Sequence, residues 1–83
     1  MKKIYNFEEL CKLEPSKTHY IEKYYSDEDG IYSAWIESFD KTERDGHYLS
    51  THTFYGGKTT KEYNKLLIEC GFDVELIPYK QIS

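Results

Sequence analysis

The chain is poor in the residues that build a large core or a metal cage. Its 83 residues include two Cys, two Pro, one Met and one Trp, and once the nine Tyr are set aside only 23 are apolar. That supports one domain, residues 1–83, and not two. A chain this short buries only about 60% of its unfolded surface, so its stability is marginal. No segment approaches the ~20 consecutive apolar residues of a membrane helix. Met1-Lys2-Lys3 is followed by no apolar run of the kind that makes a secretory leader. The expected location is the cytoplasm, with Cys11 and Cys70 reduced. There is no Cys-x-x-Cys pair and no His-x-x-x-His pair. His47 and His52, five apart, would point to opposite faces of a strand. Neither metal nor cofactor is expected, and no signature of a nucleophile with its base supports an enzyme.

What the chain has instead is tyrosine and charge. Aromatic residues make up 17%, so phenol rings must do part of the work of the core, with their hydroxyls at an edge or partnered. The rest are available to an interface, where Tyr is favoured. The formal charge is −4, from 15 acids against 11 bases, which argues against a general nucleic-acid binder with a basic surface.

The periodicity predicts an α+β domain: a helix, a three-stranded antiparallel meander, a second helix, and an optional fourth strand. Asn6 and Glu9 stand three apart as a capping box, Tyr5 and Leu10 are placed for a hydrophobic staple, and Phe7, Leu10 and Cys11 follow helical spacing. Pro15 ends this helix at or before Glu14. Thr18–Tyr25 reads as a strand and residues 26–30 as its acidic turn, closed by Gly30. Ile31–Phe39 reads as the central strand, because both alternating sets, Ile31/Ser33/Trp35/Glu37/Phe39 and Tyr32/Ala34/Ile36/Ser38, carry apolar residues. After the polar connection 40–46, His47–Tyr55 reads as the third strand. Thr59 and Glu62 suggest a second capping box. Tyr63, Leu66, Leu67 and Cys70 form an amphipathic stripe, and Gly71 suits a left-handed cap. Residues 73–77 alternate and can add the fourth strand. Both helices are expected on one face of the sheet, leaving the other partly open.

Two local motifs resolve into ordinary structure. Gly57-Lys58-Thr59 has the tail of a phosphate loop, but His52 stands where that loop needs its first glycine. Asp27-Glu28-Asp29-Gly30 hints at a calcium loop, but strand residues follow at once and the twelfth position is Ser38, not Glu.

Lys58, Lys61 and Lys65 fall on one helical face near the helix start. With the order helix, three strands, helix over residues 6–71, this lysine row resembles a double-stranded-RNA-binding domain. The resemblance implies that those lysines contact phosphates. The acidic balance of the chain departs from that family.

The acidic set is larger. Between Tyr20 and Ser50 lie eight acids, Glu22, Asp27, Glu28, Asp29, Glu37, Asp40, Glu43 and Asp45, against Lys23, Lys41 and Arg44. Tyr20, Tyr24, Tyr25, Tyr32 and Tyr48 are interleaved with them. An acidic sheet with exposed rings offers carboxylates to a partner's Arg and Lys while aromatic rings fill pockets. In size and acidic, Tyr-bearing hairpins, the whole chain resembles the small phage-encoded anti-CRISPR inhibitors. The resemblance implies a non-enzymatic protein that binds, as monomer or homodimer, to a basic nucleic-acid-binding protein. Its candidate contacts are Asp27, Glu28, Asp29, Asp40, Glu43, Asp45, Tyr24, Tyr32 and Tyr48. Duplex RNA on the lysine row, or an accessory dimerisation module, are the alternatives.

Overall fold

A computed structural model describes residues 1–26, 30–40 and 46–79. The elements are β1 (Lys2–Ile4), α1 (Phe7–Cys11), β2 (His19–Ser26), β3 (Gly30–Ser38), β4 (His47–Ser50), a 3-10 turn (Thr51–Phe54), α2 (Gly57–Glu69) and β5 (Val74–Leu76). The α+β class and the antiparallel meander β2-β3-β4 match the sequence reading, with β3 in the middle.

Asn6 caps α1 as expected: its side chain accepts from the Glu9 amide at 2.8 Å. Glu9 reaches back to the Tyr5 amide, also at 2.8 Å, one residue before the cap itself. Phe7, Leu10 and Cys11 are buried, and this docking is what sustains a helix of five residues.

Four expectations are corrected. The optional fourth strand forms, but it does not extend the meander. It pairs in parallel with β1, Lys2 opposite Val74 and Ile4 opposite Leu76, in a separate two-stranded sheet. A three-residue strand opening on two lysines leaves no periodic signal, so β1 was not foreseen.

The third strand stops at Ser50, not Tyr55. The Ser50 side chain accepts from the His52 amide at 3.3 Å, and the Thr53 hydroxyl donates to the Ser50 carbonyl. These local bonds wind the chain into the 3-10 turn and override the strand propensity of Thr51–Tyr55. The turn sends Phe54 into the core, where it stacks on Tyr79 with ring centroids 5.5 Å apart.

Helix α2 begins at Gly57, behind Gly56 with φ 85°, and not behind a Thr59 cap. The Gly56 amide is satisfied by the buried Thr60 hydroxyl at 2.9 Å, and that hydroxyl donates to the Thr53 carbonyl at 3.1 Å. The other end follows the sequence reading. Gly71 has φ 90°, its amide bonds the Ile68 carbonyl, and the Phe72 amide bonds the Leu67 carbonyl. This is the paired arrangement of a left-handed glycine cap.

The fourth correction concerns the helices. Ala34, Ile36 and Leu49 share one core with Phe7, Leu10, Cys11, Leu67 and Cys70. However, α2 lies mainly against β5 and the 3-10 turn, and α1 against β1, β2 and that turn. The core is thus closed by the β1/β5 pair as well as by helices. Asn64 locks that pair to α2: it accepts from the Leu76 amide at 2.6 Å and donates to the Leu76 carbonyl at 3.4 Å. Ser16 performs a similar service for the connection after α1. Its hydroxyl donates to the Cys70 carbonyl at 2.7 Å and accepts from the His19 amide at 3.0 Å.

Candidate functional site

The meander has one buried side and one open side, and its register decides which residues share each. Ile21 is opposite Ile36, and Ala34 is opposite Leu49; these face the core. On the other side Tyr20 is opposite Glu37, Glu22 opposite Trp35, Tyr24 opposite Ser33, and Trp35 opposite Tyr48. Alternation then gathers Tyr20, Glu22 and Tyr24 from β2, Trp35 and Glu37 from β3, and Tyr48 from β4 on one surface. Phe39 follows at the end of β3 and packs on Tyr20, with centroids 5.0 Å apart. Three of these rings are well exposed: Tyr24 at 47%, Phe39 at 51% and Tyr48 at 56%.

The two carboxylates are oriented by their aromatic neighbours. The Trp35 indole N–H donates to Glu37 Oε2 at 3.1 Å, and the Ser38 amide donates to Glu37 Oε1 at 3.1 Å. The Tyr24 hydroxyl lies 3.4 Å from Glu22 Oε2, as donor. Tyr24's phenol is pushed above its ordinary value, by desolvation first and then by the charges of Glu22 and Glu37. It therefore stays a neutral donor at physiological pH. The backbone of Gly46 lies directly against the indole. A Cβ there would come within 1.9 Å of Trp35 Cζ2, so this glycine is required by close approach.

The sequence-predicted contacts divide into three groups. Tyr24 and Tyr48 stand on the open face. Asp40 is exposed just past β3, its amide bonded to Ser38 Oγ at 3.0 Å. Asp27, Glu28, Asp29, Glu43 and Asp45 lie outside the described residues, as does the side chain of Tyr32. The alternative set, Lys58, Lys61 and Lys65, is exposed along α2. Lys58 pairs with Glu62 at 3.8 Å, and Glu69 lies on the same arc of the helix, so the lysine row is interrupted by acids.

Glu22 and Glu37 belong to the acidic set of the sequence and Tyr20 to its interleaved tyrosines, but neither they nor Trp35 and Phe39 are among the contacts the sequence predicts. Their alternation within each strand was legible. The register that sets β2 beside β3 was not, and it alone makes one surface of them.

A groove of about 430 Å³ runs along the outer edge of β2, between Ile21 and Phe39 on one side and Leu13 and Pro15 on the other. Cys11 lines its floor, and burial pushes that thiol up to about 11, against a small lowering by Lys23. A thiol in this state is a packing group and not a nucleophile. Neither Cys11 nor Cys70 is in a disulfide. Among the described residues no group of three or more His, Cys, Asp or Glu is arranged to hold a metal ion, and no helix is long and apolar enough to cross a membrane.

Compared with protein-family models, with curated proteins and with solved structures, the chain matches none.

Proposed function

We propose that the protein is a non-enzymatic inhibitor that acts by binding, laying the open face of its meander on a basic, nucleic-acid-binding surface of a partner protein in the cytoplasm. Many of the anti-CRISPR inhibitors that its profile resembles occupy the nucleic-acid site of an effector. One observation carries the reading: the register of β2, β3 and β4 collects exposed rings and two oriented carboxylates on a single sheet face. Aromatic rings supply large contact area at low entropic cost, and carboxylates supply the sign that matches Arg and Lys. In sequence, Asp27, Glu28 and Asp29 fall between β2 and β3, and Asp40, Glu43 and Asp45 between β3 and β4, so the segment that carries this face is also the acidic one.

The test is capture of partners from host lysate by the tagged full chain, with and without nuclease. A basic nucleic-acid-binding protein retained after nuclease, and lost when Tyr24 and Tyr48 are both changed to Ser, is the expected result. Capture that vanishes with nuclease would replace this reading with RNA binding on Lys58, Lys61 and Lys65.

A further inference from the structure

The carboxylates on the open face have a defined spacing. Glu22 is opposite Trp35 and Tyr20 is opposite Glu37, so Glu22 and Glu37 are diagonal neighbours across the β2–β3 ladder. Diagonal positions in an antiparallel ladder are roughly 7–8 Å apart. Along its own strand Glu22 lies between Tyr20 and Tyr24, and Glu37 lies between Trp35 and Phe39 on the same face. Each carboxylate is therefore set among rings and held by an aromatic donor.

Each also has acceptor capacity to spare. A carboxylate offers about four acceptor sites. Glu37 uses one on each oxygen, for Trp35 and Ser38, and Glu22 uses one for Tyr24. Neither carboxylate takes part in the ion pairs formed among the described residues, Lys12–Glu8 and Lys58–Glu62.

We propose that this face binds an Arg-x-Arg element in an extended basic segment of a partner protein, with one guanidinium on Glu22 and one on Glu37. In an extended chain, side chains two residues apart project to the same side about 6.6 Å apart, which fits the diagonal spacing. A guanidinium forks onto a carboxylate and stacks on flanking rings, whereas an ammonium is a compact, strongly hydrated point charge. Flat rings alone would also stack nucleic-acid bases, but the two carboxylates repel the phosphates such a strand brings with it. The inference rests on the open face being the interaction face.

The experiment is a chemical-shift titration of the ¹⁵N-labelled full chain with three blocked peptides, Gly-Arg-Gly-Arg-Gly, Gly-Lys-Gly-Lys-Gly and Gly-Arg-Gly-Gly-Gly-Arg-Gly, and with oligothymidylate. The expected result is saturable movement of the Trp35 indole N–H and of the Glu22 and Glu37 amides. The Arg-x-Arg peptide should bind at least about threefold tighter than the other two peptides, the stacking and fork of the guanidinium supplying the difference. The double change Glu22→Gln/Glu37→Gln should erase that preference; Glu22→Gln alone, at an exposed position, serves if the double variant melts early. Equal affinity for the arginine and lysine peptides would overturn the proposal. So would oligothymidylate saturating the same signals, or shifts confined to α2. Partner capture that survives Glu22→Gln/Glu37→Gln would sink the arginine site alone. An intact peptide titration without any protein partner in lysate would sink the inhibitor reading alone.

Discussion

Asn64→Ala should cost the fold about 2–3 kcal/mol. The side chain occupies the place of a neighbouring strand: the Leu76 amide donates to its Oδ1 at 2.6 Å, and its Nδ2 donates to the Leu76 carbonyl at 3.4 Å. Leu76 is 1% exposed, and its backbone groups point away from β1 toward α2, so water has poor access to both. A buried backbone group left without its partner costs about 1–3 kcal/mol. The amide, with the short contact, sets most of the loss, and the longer carbonyl contact adds the smaller part. In a domain of 60–100 residues each kcal/mol moves the melting temperature by about 4–8 °C. The expected drop is therefore roughly 8–24 °C, read by circular dichroism and paired with urea unfolding at 25 °C. Asn64→Asp keeps the acceptor for the Leu76 amide but sets a charged oxygen against the Leu76 carbonyl, so it should restore at most part of the loss. A loss for Asn64→Ala within about 0.5 kcal/mol, the range of an ordinary surface change, would refute the claim that Asn64 holds the β1/β5 pair in place.

Three further outcomes follow from the same geometry. Gly46→Ala drives a methyl group into the Trp35 indole, so it should shift the tryptophan emission and lower stability by about 1–3 kcal/mol; unchanged emission and melting would place Gly46 elsewhere. Burial raises the Cys11 thiol from 9.0 to about 11. The stability carried by its neutral form is thus whole below pH 9 and is lost as pH rises toward 11. In melts between those limits Cys11→Ala should decline less steeply than the parent, and parallel declines would show that Cys11 does not titrate this way. Lys23→Val should promote self-association, visible by sedimentation as species above 9.9 kDa. β2 is an edge strand, and the Phe39 amide bonds the Thr18 carbonyl, so by alternation the backbone of Ile21 and Lys23 faces outward. In the parent, two-fold pairing centred on Glu22 or Lys23 opposes like charges, and pairing centred on Ile21 meets the Ser16 bonds at His19. A dimeric parent joined at this edge would show that these devices do not guard it.

The sequence by itself determined the elements whose signals are local. The Asn6–Glu9 cap, the central strand with apolar residues in both alternating sets, the amphipathic stripe of α2 and the Gly71 terminus each need only a few consecutive residues to specify them. It also assembled the acidic, Tyr-rich character of the meander, because composition carries that without coordinates. Tertiary structure decided the rest. A parallel pair joins Lys2–Ile4 to Val74–Leu76, about seventy positions away; the weak alternation of residues 73–77 suggests a strand but does not name its partner, and Lys2–Ile4 has no periodicity of its own. The 3-10 turn formed because the hydroxyls of Ser50 and Thr53 compete for the backbone just where Phe54 has a core site to fill. The candidate site belongs to this second class. Tyr20, Glu22, Trp35 and Glu37 alternate plainly in their own strands, but only the pairing of Glu22 with Trp35 makes them one surface. A register shift of a single residue would send half of them into the core.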